Sequence, residues 1–256
     1  MKIVIAQDRA ELGRFVSHQA AEIIRNCLAT QDNCNLVVAT GSSQFEVLEG
    51  LVNQPGIDWS RVHGFHLDEY LGLSRNHSAS FCGYLASRFV NKVPLGSFFY
   101  MDGTRPAEEL RSAACEAIRD KTIDLLLCGI GENGHLAFND PPADFNSDAP
   151  YLVVELDEAC RRQQVGEGWF DSLTDVPTHA ISMSIQQILK AKRILCTVPD
   201  RRKAEAVKNS VEGMITPAVP ASILQDHPAM TLILDSASSS LLSSATFESS
   251  EHLASN

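Results

Sequence analysis

Short apolar runs alternate with segments of helical periodicity along this chain, and that alternation constrains its fold more than any other feature. Met1 to Ala6, Asn35 to Ala39, Val62 to Leu67, Ile123 to Cys128, Arg193 to Val198 and Thr231 to Leu234 read as strands, the last of them as the final strand. Asp8 can cap a helix that carries Leu12, Phe15, Val16, Ile23 and Ile24 on one face. Further helices are read with Phe45, Val47, Leu48 and Leu51, over Ala107 to Arg119, and over Asp200 to Asn209; Ile181 to Leu189 mixes strand and helix signals. Such alternation predicts an α/β fold, a mostly parallel sheet covered by helices on both faces. No repeat or proline-rich linker divides the chain, so one domain over residues 1–256 is expected, its serine-rich tail partly disordered beyond Leu242.

Charge and cysteine usage exclude several classes of function. The net charge of −11 argues against a nucleic-acid surface, which needs clustered positive charge. No apolar run reaches the length of a membrane span, and none has the flanks of a secretory signal. The seven cysteines are odd in number and show no CxxC spacing, which speaks against a disulfide framework or a zinc site. Cys128 and Cys196 lie in apolar strands and read as small core residues. A reducing cytoplasmic compartment is expected.

Four motifs follow strand-like runs, where ligands of parallel sheets bind. In Gly129-Ile130-Gly131-Glu132-Asn133-Gly134-His135-Leu136-Ala137-Phe138-Asn139-Asp140-Pro141, three glycines allow close backbone approach before a histidine and a carboxylate. His135 can exchange protons near neutrality; Asp140 can hold the ring, and Asn133 can fix a tautomer or bind a hydroxyl. In Thr40-Gly41-Ser42-Ser43, backbone N–H groups and hydroxyls at a helix start suit an anion, and a plain capped turn fits equally well. In Asp200-Arg201-Arg202-Lys203, three cations in a first helical turn oppose the helix dipole, a conflict that an oxyanion beside Lys203 would resolve. Asp68-Glu69 closes a strand, and only one of the two should face a given ligand; a carboxylate there suits a general base, a helix cap with a surface ion pair is the commoner use of such residues, and metal binding lacks a second acidic cluster.

Together FHLDEYLGL, LCGIGENGHLAFNDPP, DRRKAEAV and VEGMITPAVPASILQDHP resemble the glucosamine-6-phosphate isomerase/6-phosphogluconolactonase family, from about Ile3 to Leu234. The resemblance is closest to its deaminases. It implies a modified Rossmann-like fold and no cofactor for the chemistry, in an enzyme of hydrolase/isomerase type. Glucosamine 6-phosphate and water would become fructose 6-phosphate and ammonia. It also implies roles: Asp68 as the base moving the C2 proton, and His135 as the ring-opening acid/base assisted by Asn133 and Asp140. Thr40, Gly41, Ser42, Ser43 and Lys203 would surround the phosphate, with Glu69 and Gly131 also at the substrate. No metal is implied, and the partner is a small amino-sugar phosphate bound by a monomer or small homo-oligomer.

The chain departs from the family in places. Thr-Gly-Ser-Ser-Gln stands where many members carry Gly-Gly-Thr-Pro, and Asp140 stands where some deaminases have glutamate, one methylene longer. For the additional phosphate arginine of many deaminases, Arg161 and Arg162 are the candidates. Residues 144–156 contain no lysine or arginine, so activation by N-acetylglucosamine 6-phosphate is not expected. Two other readings compete: a 6-phosphogluconolactonase, against which Glu69-Tyr70 and the Leu136 to Pro141 run count, and a sugar-phosphate-sensing module without catalysis.

Overall fold

The computed structural model describes residues 1–253. In chain order the strands are β1 (Lys2–Ala6), β2 (Cys34–Val38), β3 (Val62–His66), β4 (Asp68–Tyr70), β5 (Ser97–Phe99), β6 (Leu125–Cys128), β7 (Tyr151–Glu155), β8 (His179–Met183), β9 (Ile194–Val198), β10 (Met230–Asp235) and β11 (Glu251–His252). The α-helices are α1 (Arg9–Thr30), α2 (Phe45–Val52), α3 (Phe81–Arg88), α4 (Ala107–Ile118), α5 (Glu158–Gly166), α6 (Ile185–Leu189), α7 (Ala204–Glu212) and α8 (Ser244–Ser249). Asp8 caps α1 as its position suggests, its carboxylate accepting from the Glu11 N–H.

Eight strands form one parallel sheet in the order β11-β1-β10-β9-β6-β2-β3-β5. Successive side chains on a strand point to opposite faces, and here both faces are dry. Leu36, Val38, Leu125 and Leu127 pack with Leu12, Val16 and Ile24 of α1 and Val47, Leu48 and Leu51 of α2. Val37, Leu126, Cys128 and Cys196 pack on the other face with Leu110 and Ala114 of α4, Ile185 and Ile188 of α6, and Val207 of α7. That two-sided burial explains why these strands read as continuous apolar runs rather than as alternating ones.

The order of strands locates the site. From β2 the chain builds outward through β3 to β5, then returns to β6 on the other side of β2 and continues outward through β9 and β10. The direction reverses between β2 and β6, and a crevice opens at such a switch point beyond the strand ends.

Three strands were not legible as a unit. β4, β8 and β7 form a separate antiparallel sheet. The mixed signal over residues 181–189 resolves into the end of β8 followed by α6, with Ser184 capping the helix through the Gln187 N–H. Two expectations about the C-terminus are corrected. The segment past Leu242 is ordered into α8, capped by the Ser243 hydroxyl on the Thr246 N–H, and into β11; residues 254–256 lie outside the described residues. β10 is therefore not the final strand, because β11 pairs in parallel with the otherwise open edge of β1, Val4 opposite Glu251 and Ile5 opposite His252. Lys2 reinforces that edge with an ion pair of 2.7 Å to Glu251. Among the described residues no helix is long and apolar enough to cross a membrane.

Candidate active site

A cavity at the switch point is lined by Thr40 to Ser43 after β2, Asp68 after β3, Gly129 to Gly131 and His135 after β6, and Pro199 to Lys203 after β9. Arg201 is the exception in that last stretch, facing away from the cavity towards Ser240. The four motifs singled out in the sequence therefore converge on one space.

Asp68 and Glu69 part company as adjacent strand residues must. Asp68 faces the cavity, 7% exposed, and burial with help from the neighbouring Glu69 charge pushes its carboxyl up to about 8. Glu69 points the other way and does not line the cavity, contrary to its expected contact with substrate. It accepts hydrogen bonds from the N–H groups of Tyr70, Phe81 and Cys82 and from the Ser80 hydroxyl, so it closes the N-terminus of α3. Burial pushes its carboxyl up to about 7 against those four hydrogen bonds.

The small sheet fastens the histidine loop to the strand of Asp68. Asp68 stands opposite Ser182 in the β4–β8 register. The Ser182 hydroxyl accepts from the Phe138 N–H at 3.0 Å and from Asn139 Nδ2 at 3.2 Å, and Asn139 Nδ2 also donates to the Leu136 and Met183 carbonyls. Buried Asn139 thus satisfies the turn that carries His135. The Gly134 N–H bonds the Gly131 carbonyl, and Gly134 takes a φ of 85°, which glycine adopts without strain.

His135 lies over Gly131, where an added Cβ would come within 2.2–2.4 Å of three imidazole atoms. Its Nδ1 is 3.2 Å from Asp140 Oδ1, an ion-pair distance whose N–H direction is not aligned for a hydrogen bond in this conformation. Asp140 also accepts from Asn133 Nδ2 at 3.0 Å and from the Asp157 N–H at 3.0 Å. Burial pushes the Asp140 carboxyl up, but His135, Asn133 and the Asp157 N–H together hold it below the usual carboxylate range. The aspartate therefore reaches the imidazole despite its shorter side chain. Asn133 bridges Asp140 and Asp157, and its Oδ1 accepts the His135 backbone N–H. Asn133 and Asp140 stand behind the imidazole rather than in the cavity, so they can act only through His135.

At the other end, Gly41 has a φ of 90° and the Ser42 and Ser43 hydroxyls border the cavity. Lys203 is 7% exposed; burial lowers its pKa, opposed by Glu167 and Glu132. Asp200, at a φ of 90°, is held by its N–H to the Asp235 carboxylate and caps the following turn through the Arg202 N–H. Neither candidate arginine reaches this cavity. The Arg161 guanidinium donates to the Leu173 and Val176 carbonyls, and Arg162 pairs with Glu158 on the exposed face of α5. Gln163, Gln164 and Glu167 line the cavity from the end of α5 and belong to none of the sequence motifs. Gln163 and Glu167 stand four apart on one helical face, a polar pairing that a search for cations in that region passes over.

Two groups of side chains could hold a metal ion among the described residues: Cys27, Cys34 and Asp124, and His135, Asp140 and Cys160. In the first, at the opposite end of the sheet, Asp124 is paired with Lys192 at 2.8 Å and accepts from the Asn35 N–H. In the second, both Asp140 oxygens already accept N–H donors.

Residues 7–233 match the family model described as glucosamine-6-phosphate isomerases/6-phosphogluconolactonase. The chain is 38% identical to the glucosamine-6-phosphate deaminase of Oenococcus oeni over 80% of this chain and 86% of that one. It is 36% identical to the glucosamine-6-phosphate deaminase of an Exiguobacterium species over 94% and 91%. The solved structure of a monomeric glucosamine-6-phosphate deaminase superposes with a TM-score of 0.85 at 30% identity, over 94% of this chain and 100% of that one.

Proposed function

Since the chain belongs to the glucosamine-6-phosphate isomerase/6-phosphogluconolactonase family, we propose that it is a glucosamine-6-phosphate deaminase. It would convert glucosamine 6-phosphate and water into fructose 6-phosphate and ammonia, an isomerisation coupled to deamination. The relatives support the deaminase and isomerase description, and nothing in them supports the broader hydrolase label. One observation carries the reading. A buried carboxylate, Asp68, without a hydrogen-bond partner among the described residues, shares its cavity with an imidazole backed by a second carboxylate.

Each part of the site suits a step. His135, with Asp140 stabilising its charged form, takes the proton of the C1 hydroxyl and returns one to the ring oxygen, opening the sugar. Asp68 then removes the C2 proton and returns it at C1 while a proton of the amine nitrogen passes to the C1 oxygen, which leaves an imine at C2 that water converts to the ketone with loss of ammonia. A base with a pKa close to the operating pH suits proton abstraction, and the ammonium group of the bound amino sugar favours the ionised form of Asp68. The phosphate lies at the Thr40–Ser43 turn and Lys203, away from the reacting carbons, so its binding fixes C1 and C2 against the two catalytic groups. Action on a small phosphorylated sugar in the cytoplasm is part of this reading.

The test is release of ammonia and fructose 6-phosphate from glucosamine 6-phosphate by the purified chain. Turnover is expected. Tight binding of the sugar phosphate with no ammonia would favour a sensor, and hydrolysis of 6-phosphogluconolactone instead would favour the lactonase branch.

A further inference from the structure

The anion end of the cavity contains an anion of its own. Glu167 immediately follows α5, and its carboxylate turns inward, with side-chain exposure of 6% beside 9% for Lys203. Glu167 Oε1 lies 3.7 Å from Lys203 Nζ and accepts from Gln163 Nε2 at 2.8 Å. Oε2 accepts from the Ser42 hydroxyl at 3.3 Å and from Trp169 Nε1 at 3.2 Å. Lys203 and the Ser42 hydroxyl are two of the donors that a substrate phosphate would use. Among the described residues Lys203 forms no other ion pair. The cation that should attract a phosphate is thus already paired, and Arg202, the arginine among the lining residues, is shared between Asp200 and Glu132.

We propose that Glu167 is a built-in counter-anion of this cradle, competing with the substrate's phosphate for Lys203 and Ser42 and so setting how tightly the site holds phosphorylated sugars. This rests on the reading of the cavity as a sugar-phosphate site. The Glu167 and Lys203 side chains are both largely buried, so a phosphate among these donors would feel the carboxylate's repulsion with less screening than at the surface. The phosphate must either displace the carboxylate or bind against its repulsion, and both weaken the complex. The same arrangement keeps a buried lysine paired while the site is empty. Glu167 is therefore a specificity-determining residue: it selects for substrates whose other contacts, to the sugar and its amine, are good enough to overcome the competition.

The experiment is calorimetric titration of inorganic phosphate into the full-length protein, comparing wild type with Glu167→Gln and Glu167→Ala. Glutamine retains the shape and the acceptor oxygen without the charge; alanine removes both. Phosphate is expected to bind at least tenfold more tightly to Glu167→Gln, and the KM for glucosamine 6-phosphate to fall in the same direction. Unchanged or weaker phosphate binding in both variants would overturn the proposal. The phosphate titration does not depend on turnover. A wild type that releases no ammonia would remove the deaminase reading, while the phosphate affinities of the two variants would still decide the role of Glu167.

Discussion

A Cβ on Gly131 would lie 2.2 Å from His135 Cε1, so the imidazole occupies the space a side chain at 131 would need. Gly131→Ala should therefore displace the ring from the cavity and from Asp140 while the sheet stays folded. A loss of turnover of about 10²-fold or more is expected, in line with removal of a positioned acid/base, with little change in melting temperature. Retained turnover would mean that His135 is not held where the reaction needs it.

Asp140→Asn tests the carboxylate behind that ring. The change keeps the size of the side chain but removes the charge that faces His135 Nδ1 at 3.2 Å. The turnover number should fall by about 10–10³-fold, because the imidazolium formed during the reaction loses its partner. A purely structural role for Asp140 would lower stability and leave the turnover of the folded protein unchanged.

Asp68 should cost the fold stability in return for its reactivity. Its folded pKa, about 8, is raised above the ordinary 3.8, so the stability tied to its neutral form is full below pH 3.8 and is lost as pH rises towards 8. Asp68→Asn should accordingly be more stable than wild type, by on the order of 5 kcal/mol at pH 8. The advantage should shrink on acidification to pH 4. Chemical denaturation across that range measures it, and a pH-independent difference would contradict the assigned burial.

Lys203 and Arg161 should separate phosphate binding from loop structure. Lys203→Ala should raise KM for the sugar phosphate by about 10-fold or more, the usual weight of a charged hydrogen bond. Arg161→Ala should leave KM unchanged and lower the melting temperature, since its guanidinium holds the Leu173 and Val176 carbonyls. The opposite pattern would return the phosphate arginine to Arg161.

Much of this was legible in the sequence because two-sided burial and loop chemistry leave local marks. The parallel sheet shows as apolar runs such as Leu125 to Cys128, and the opposed directions of Asp68 and Glu69 follow from strand geometry alone. What escaped depends on partners distant in sequence. β4, β7 and β8 are short, and each is stabilised by antiparallel pairing with segments up to about a hundred residues away. Glu69 reads as a substrate ligand until Tyr70, Ser80 and the first turn of α3 supply its four donors. Glu167 carries no motif, and only the fold brings it to Lys203. The tail past Leu242 is polar in composition, yet the open edge of β1 orders it.

Asp68 as the base that moves the C2 proton is the point on which the proposed chemistry turns. The most direct measurement is ammonia release from glucosamine 6-phosphate by wild type and by Asp68→Asn, with calorimetric binding of fructose 6-phosphate to both. Turnover in the variant should fall by about 10³-fold or more while the affinity for fructose 6-phosphate stays within a few-fold of wild type. A variant that keeps turnover within tenfold of wild type, with binding intact, would contradict the assignment.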